Sequence, residues 1–245
     1  MGILYIVSTP IGNLQDITLR AMRILMTVDV IACEDTRKTG ILLGEIIQIS
    51  NTTNTVNNSI RKPRLISYYE QNELHRIPEI ISALKKDELK IALVSDAGTP
   101  MISDPGFKLV RECIKEGIKV EVIPGPSSVI TGLTLSGLPT DKFLFLGYPP
   151  RKPGHRKKFL MDIASVINII KATIILFEAP HKLLKTLDEI KAVFGDIDIV
   201  VARELTKIHE EVRREKISSL LVHFKKVIPK GEFVILFNLK DKVTS

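Results

Sequence analysis

The chain has 245 residues, 44% of them hydrophobic and 26% charged, enough apolar content to fill one large core or two ordinary ones, which argues against a disordered chain. Its two cysteines, Cys33 and Cys113, have no CxxC spacing, which argues against a disulfide framework or a thiolate zinc site and fits a reducing cytoplasm. The net charge of +7 is uneven: residues 1–140 carry 15 Lys/Arg and 15 Asp/Glu, whereas residues 141–245 carry 20 and 13. A neutral half beside a basic half suits a small ligand in the first and phosphates in the second, although a basic solvated surface explains the charge equally well.

Taken in chain order, short β-branched runs alternate with helical patterns. The chain opens directly into an apolar run with no basic leader, and the apolar stretch Ile163–Phe177 is broken by Asn168 and Lys171, so neither a signal peptide nor a membrane span is expected. Strands are predicted at Ile3–Ser8, Val28–Cys33, Arg64–Tyr68, Ile91–Ser95 and Lys119–Ile123. Helices fall between them at Ile17–Met26, Ile77–Lys86 and Gly106–Glu116, and a further one follows at Ser127–Leu135. Parallel strands with right-handed crossovers are the natural solution. The Asn/Thr/Ser-rich segment Ser50–Ser59 reads as a surface loop.

After the turn Pro139-Thr140-Asp141 a second domain is expected, giving domains 1–140 and 141–245. It holds strands at Lys142–Gly147, Thr173–Glu178, Asp198–Arg203 and Glu232–Asn238, with helices at Arg156–Val166, His181–Phe194 and Ile217–Phe224.

Ligands of open α/β sheets bind beyond the carboxyl ends of the strands. Those positions are rich here: Ser8-Thr9-Pro10-Ile11-Gly12-Asn13, Cys33-Glu34-Asp35-Thr36-Arg37, Ser95-Asp96-Ala97-Gly98-Thr99-Pro100-Met101-Ile102-Ser103-Asp104-Pro105-Gly106 and Pro124-Gly125-Pro126-Ser127-Ser128. The Gly- and Pro-rich third loop cannot continue a strand or helix, so its backbone groups need other partners, a bound ligand among them. Asp96 is placed to accept from a ligand amine or hydroxyl, whereas Asp104 reads as a helix cap. Glu34 lies 22 residues after Gly12, near the spacing of a ribose-binding acid, yet GxGxxG and GxxxxGK[ST] are absent, so dinucleotide binding is a weak reading. The five histidines are scattered without HExxH, and no metal centre is expected.

Together these strand-end loops resemble the ribosomal RNA small subunit methyltransferase I family of the tetrapyrrole methylase-like superfamily. The resemblance rests on Ser8–Asn13, Ala32–Lys38, Leu65–Tyr69, Val94–Gly106, Pro124–Pro126, Phe177–His181 and Ala202–Lys207, the string Ser-Asp-Ala-Gly-Thr-Pro followed by Ile-Ser-Asp-Pro-Gly being highly specific. The stretch Gln48–Arg61 departs by looking longer than the family's link. The resemblance implies two α/β domains of tetrapyrrole methylase type with S-adenosyl-L-methionine in the cleft between them, a homodimer, and methylation of a cytidine ribose 2'-oxygen in the decoding region of 16S ribosomal RNA or the small ribosomal subunit. Carried over residue by residue, the cofactor site draws on Pro10, Asp96, Ala97, Gly98, Thr99, Pro100, Ile102, Ser127, Ser128, Phe177, Glu178, Leu205 and Glu232.

Methyl transfer from a sulfonium needs positioning, and a ribose hydroxyl gains from a base or a cation near its developing charge. Glu34, Asp35, Arg37, Glu204 and Lys207 are the charged candidates at strand ends, with Arg37 and Lys207 alternatively holding phosphates or forming surface ion pairs. The segment containing Arg151, Lys152, Arg156, Lys157 and Lys158 packs five cations into eight positions and reads as a basic loop facing an RNA backbone, against the plainer alternative of a solvated connector. Two rival functions remain: methylation of a corrinoid or porphyrin precursor, which the basic second half disfavours, and a non-catalytic RNA-binding protein, which would not bind the cofactor.

Overall fold

In the computed structural model of the chain, residues 2–53 and 62–239 are described. They divide into two units, Met1–Ser127 and Ser128–Ser245.

In the first unit, β1 (Ile3–Val7), β2 (Val30–Cys33), β3 (Arg64–Ser67), β4 (Lys90–Val94) and β5 (Lys119–Ile123) form a wholly parallel sheet in the order β3-β2-β4-β1-β5. Their apolar runs suit a sheet covered on both faces. Because side chains alternate along a strand, Tyr5 and Val7 enter one core with α1 (Leu19–Thr27) and α2 (Thr36–Thr53), while Leu4 and Ile6 enter another with α3 (Glu73–Lys85) and α4 (Phe107–Lys115). Caps fix the helix starts: the Thr18 hydroxyl accepts the Ala21 N–H at 3.0 Å, and the Asp35 carboxylate accepts the Arg37 N–H at 2.9 Å where α2 begins. The N-cap of α4 is Gly106, at φ +133°, rather than Asp104. A side chain there is barred by packing too, since a Cβ would lie 2.6 Å from Leu93 Cδ2.

The second unit comprises α5 (Ser128–Ser136), β6 (Phe143–Phe145), α6 (Pro153–Ile170), β7 (Thr173–Glu178), α7 (Leu183–Phe194), β8 (Asp198–Arg203), β9 (Glu211–Lys216), α8 (Ile217–Lys226) and β10 (Phe233–Phe237). Its sheet runs β6-β7-β10-β8-β9 and is mixed: β6 and β7 are parallel, while β10 is antiparallel to β7 and β8, and β8 to β9. One face is buried under α6, α7 and α8 through Leu160, Ile163, Leu187, Ile190, Leu220 and Phe224. Each such side chain contributes about 1.5–3 kcal/mol on burial. The helix α5 packs against β8, β9 and β10, and the Arg214 guanidinium donates to the carbonyls of Leu135 and Ser136 at its C-terminal end.

Four sequence expectations change. The division falls before α5 instead of near residue 141, because α5 buries its apolar side, including Val129 and Leu133, in the second unit. The expected loop around residues 48–61 is helical through Thr53, extending α2, and its remaining part, 54–61, lies outside the described residues. The strand β9, sequence EVRREK, has almost no apolar content and was not expected; it forms by pairing with β8, and its charges protect an exposed sheet edge. The basic segment is not a loop beyond Lys152, since Pro153 begins α6 at a position where a missing N–H costs nothing.

Candidate functional site

The carboxyl ends of β1, β4 and β5 are adjacent in the first sheet, and the loops that follow are locked together. Thr9 and Gly98 form a bridge, with Thr9 N–H donating to Gly98 O at 2.9 Å and Gly98 N–H to Thr9 O at 3.1 Å. The Ser8 hydroxyl donates to Thr99 Oγ1 at 3.3 Å, and Thr99 in turn donates to the Pro126 carbonyl at 3.1 Å, so one hydroxyl chain joins all three loops. The Thr9 hydroxyl adds a bond to Ser95 O at 3.3 Å. The close approach depends on glycine at two positions: Gly98 has φ +83°, and a Cβ on Gly125 would stand 2.9 Å from Ser8 Cβ.

This assembly brings together Pro10, the Asp96–Pro100 loop and Ser127 of the expected cofactor set, with Ile102 exposed nearby in sequence. Ser128 starts α5 in the second unit.

Asp96 is engaged more fully than its position in sequence suggests. Its Oδ1 accepts the Asp35 N–H at 3.1 Å and its Oδ2 accepts Lys38 Nζ at 2.7 Å, tying the end of β4 to the start of α2. Glu34 is half-buried beside it. Burial, followed by the Asp96 charge, pushes the Glu34 carboxyl above its usual range. Asp35 moves the opposite way, to about 2, because the Arg37 side chain and backbone N–H both donate to it. Arg37 is highly exposed but held by this two-point contact. Of the first-unit candidates, Glu34 is therefore the carboxyl held above its usual range, and Asp35 is a helix cap and arginine anchor. Lys38 is the residue the sequence did not single out; it lies within the first turn of α2, the helix that also was not expected.

In the second unit the register Phe233↔Glu178 and Phe233↔Arg203 places Phe177, Glu178, Glu204, Leu205 and Glu232 at one end of the sheet. Glu178 is buried, taking the Thr186 hydroxyl and the Ala179 N–H. Phe177 packs edge-on to Phe145 and Tyr148 at 4.8 and 5.6 Å between ring centroids. Leu205 is buried, and Glu232 is exposed. Lys207 Nζ lies 3.0 Å from Glu204 Oε1 and 3.6 Å from Glu232 Oε2. Burial opposes ionisation of Glu204, but the bonds from Lys207 and the Glu232 N–H, with the charges of Lys207 and Arg203, outweigh it and hold the carboxyl below its usual range. Glu204 and Lys207 are thus a fixed ion pair.

The basic segment divides at Arg156. Arg151, Lys152, Lys157 and Lys158 are exposed, but Arg156 is only 2% exposed and donates through Nε and Nη2 to Glu189 of α7. As a buried, two-point ion pair it fastens α6 to α7 and offers no face to a phosphate, which corrects its expected place among the RNA contacts. Among the described residues no group of three His, Cys, Asp or Glu side chains is gathered as a metal site, and no helix is long and apolar enough to cross a membrane.

The sequence pattern of the tetrapyrrole (corrin/porphyrin) methylases matches residues 3–221. The chain is similar to the ribosomal RNA small subunit methyltransferase I of Thermotoga maritima, with 43% identity over 98% of this chain and 100% of that protein. It is similar to the protein of the same name from Hydrogenobaculum sp., with 47% identity over 97% of this chain and 96% of that one. Among solved structures it resembles a cobalt precorrin-4 methyltransferase, at TM-score 0.69 and 18% identity over 96% of this chain and 94% of the other. It also resembles a diphthine synthase, at TM-score 0.66 and 16% identity over 97% and 90%. At such identities the structures speak for the fold, and the sequence relatives for the family.

Proposed function

Because the chain belongs to the tetrapyrrole methylase family and, within it, to the ribosomal RNA small subunit methyltransferase I proteins, we propose that S-adenosylmethionine is its methyl donor and a cytidine ribose 2'-oxygen in the decoding region of 16S ribosomal RNA its acceptor. The enzyme is a methyltransferase of small-subunit ribosomal RNA. The observation that carries the donor is the hydroxyl-linked joining of the loops after β1, β4 and β5. We assign the donor's polar contacts to Asp96–Pro100, Pro10 and Ser127, and retain Ile102, Ser128, Phe177, Glu178, Leu205 and Glu232 as contributors to be tested by substitution.

When bound, the donor supplies an electrophilic sulfonium methyl group. The half-buried Glu34, whose carboxyl is raised by burial and by Asp96, takes the proton of the ribose hydroxyl. Asp35 and Arg37 fix the start of α2, and Lys38 holds Asp96 in place. Lys207, held in place by Glu204, positions RNA or stabilises the developing oxyanion, and the exposed Arg151, Lys152, Lys157 and Lys158 bind RNA phosphates. The protein works in the cytoplasm as a homodimer.

The test is transfer of isotopically labelled methyl from S-adenosylmethionine to purified small-subunit particles, followed by mass mapping of the RNA. The expected product is one methylated cytidine ribose. Label on a base, or transfer to a porphyrin precursor with none to the particle, would overturn the proposal.

A further inference from the structure

A cavity of about 500 Å³ opens in the second unit where β8 ends, α8 ends and β10 is about to begin. Arg203 and Glu204 line one side, and Lys226, Val227, Ile228 and Lys230 the other. The first side is pinned. Arg203 Nε is 2.6 Å from Glu211 Oε2, and Glu204 is held by Lys207 and by the Glu232 N–H at 3.2 Å. Glu204 and Thr206 both adopt left-handed backbone, at φ 50° and 63°, and Gly231 is needed opposite because a Cβ there would run into the Glu204 carboxylate.

Charge accounting separates the two sides. Arg203 is answered by Glu211 and Glu204 by Lys207, whereas Lys226 and Lys230 have no carboxylate within ion-pair distance among the described residues. Between them lie two apolar side chains left in water, Val227 at 39% and Ile228 at 75% exposure. Lys226 could serve only to offset the C-terminal dipole of α8, but that accounts neither for Lys230, which lies beyond the helix, nor for the exposed Ile228. Unanswered cations beside an apolar surface match a nucleotide, whose phosphate takes the ammonium groups while its base or sugar covers the aliphatic side chains; a bare inorganic anion would use only the lysines.

We propose that this cavity binds a phosphodiester of the RNA substrate, with Lys226 and Lys230 on the phosphate and Ile228 against the adjoining nucleoside. The proposal rests on the reading of the protein as an RNA methyltransferase and adds a site to it. The test is anisotropy titration of a labelled single-stranded oligoribonucleotide over a range of salt, with the double variant Lys226→Gln/Lys230→Gln, with Ile228→Ser, and with Lys225→Gln as a neighbouring lysine outside the cavity. The double variant should weaken binding and reduce the slope of log K against log salt by about 0.7, since single strands release about 0.7 counterion per phosphate neutralised and both lysines face one phosphate. Ile228→Ser should weaken binding at unchanged slope, and Lys225→Gln should change neither. Calorimetric affinity for S-adenosylmethionine should be the same in all four proteins.

An unaltered slope in the double variant would return the lysines to solvated helix-end charges, and a fall in S-adenosylmethionine affinity would make the cavity part of the donor's site. Displacement of the oligonucleotide by inorganic pyrophosphate at equal phosphate concentration would make it a small-anion site; each of these overturns the proposal. Methyl transfer by the unaltered enzyme to small-subunit particles is measured in parallel. Its absence, with the slope change present, would overturn the methyltransferase reading and leave the cavity as an RNA site.

Discussion

In the first unit Asp96, Asp35 and Glu34 stand in one knot with Lys38 and Arg37, and three of the loops around them are stitched by hydroxyls from Ser8 to Pro126. In the second unit Lys152, Lys157, Lys158, Lys226 and Lys230 are exposed, and none has a carboxylate within ion-pair distance among the described residues. The contrast fits the proposed division of work, with the methyl donor on the first unit and RNA phosphates on the second. A small ligand is recognised by fixed donors and acceptors, so the charges around it are internally satisfied and held still. A polyanion is recognised by releasing counterions, so cations are left unanswered until it arrives.

The largest effect should come from Glu34, where the knot is tested for chemistry. Glu34→Gln is expected to lower the single-turnover methyl-transfer rate by about 100-fold or more, with donor and RNA affinities retained. Wild-type rates should rise with pH as the raised Glu34 carboxyl ionises, and the variant should lose that limb. The sign for stability is opposite. A carboxyl raised on folding stabilises fully below its ordinary range and loses that contribution as pH climbs through the raised value, so the neutral Gln should melt no lower than wild type at neutral pH. A variant with full rate would show that positioning alone suffices.

Next in size are two substitutions that attack rigidity, one in each unit. Gly98→Val forces a β-branched residue into φ +83° with its Cβ 3.2 Å from Ile11 Cγ2. A cost of about 1–3 kcal/mol is expected, together with loss of calorimetric S-adenosylmethionine binding in the protein that remains folded. Arg156→Gln leaves Glu189 without its partner and should cost about 2–4 kcal/mol in thermal or urea unfolding while leaving the salt dependence of RNA binding unchanged. Lys157→Gln with Lys158→Gln should do the reverse, reducing the salt slope by about 1 to 1.5 at unchanged stability. If Arg156→Gln altered the slope, or the lysine pair altered stability, the division of the basic segment would fail.

Those neighbours also mark what the sequence could tell. The run from Arg151 to Lys158 displays its charge plainly, yet only the fold reveals that the arginine at 156 turns inward, because burial of a charge depends on Glu189 arriving from another helix. The strand-end loops were legible since Gly and Pro bar regular structure, and all nine expected strands come out within two residues of their expected bounds because apolar, β-branched runs mark them. What was hidden is tertiary. Strand β9 reads as a charged surface segment until β8 supplies its partner, with Arg213 then bonded to Glu215 two positions along the same face. The pairing of Lys38 with Asp96 spans 58 positions and needs α2 to exist, and α2 was obscured by Gly40 and Gly44, each a poor helix former.

Those two glycines carry the smallest prediction and the finest test of the contrast between the fixed and the open half. Each lies in an 18-residue helix, and a Cβ built on either meets nothing within 4 Å, so alanine would introduce no clash. Gly44→Ala should therefore stabilise by about 0.5–1 kcal/mol, because glycine surrenders more backbone freedom on folding than alanine does. In a protein of this size that raises the melting temperature by about 1–4 °C. The helix begins at Asp35, Arg37 and Lys38, so stiffening it bears directly on the knot around Asp96. If that knot is rigid already, Gly44→Ala should melt higher and methylate at the wild-type rate in single-turnover assays. A higher melting temperature with a slower rate would mean that α2 must flex during the reaction, and that Lys38 releases Asp96 when the donor binds.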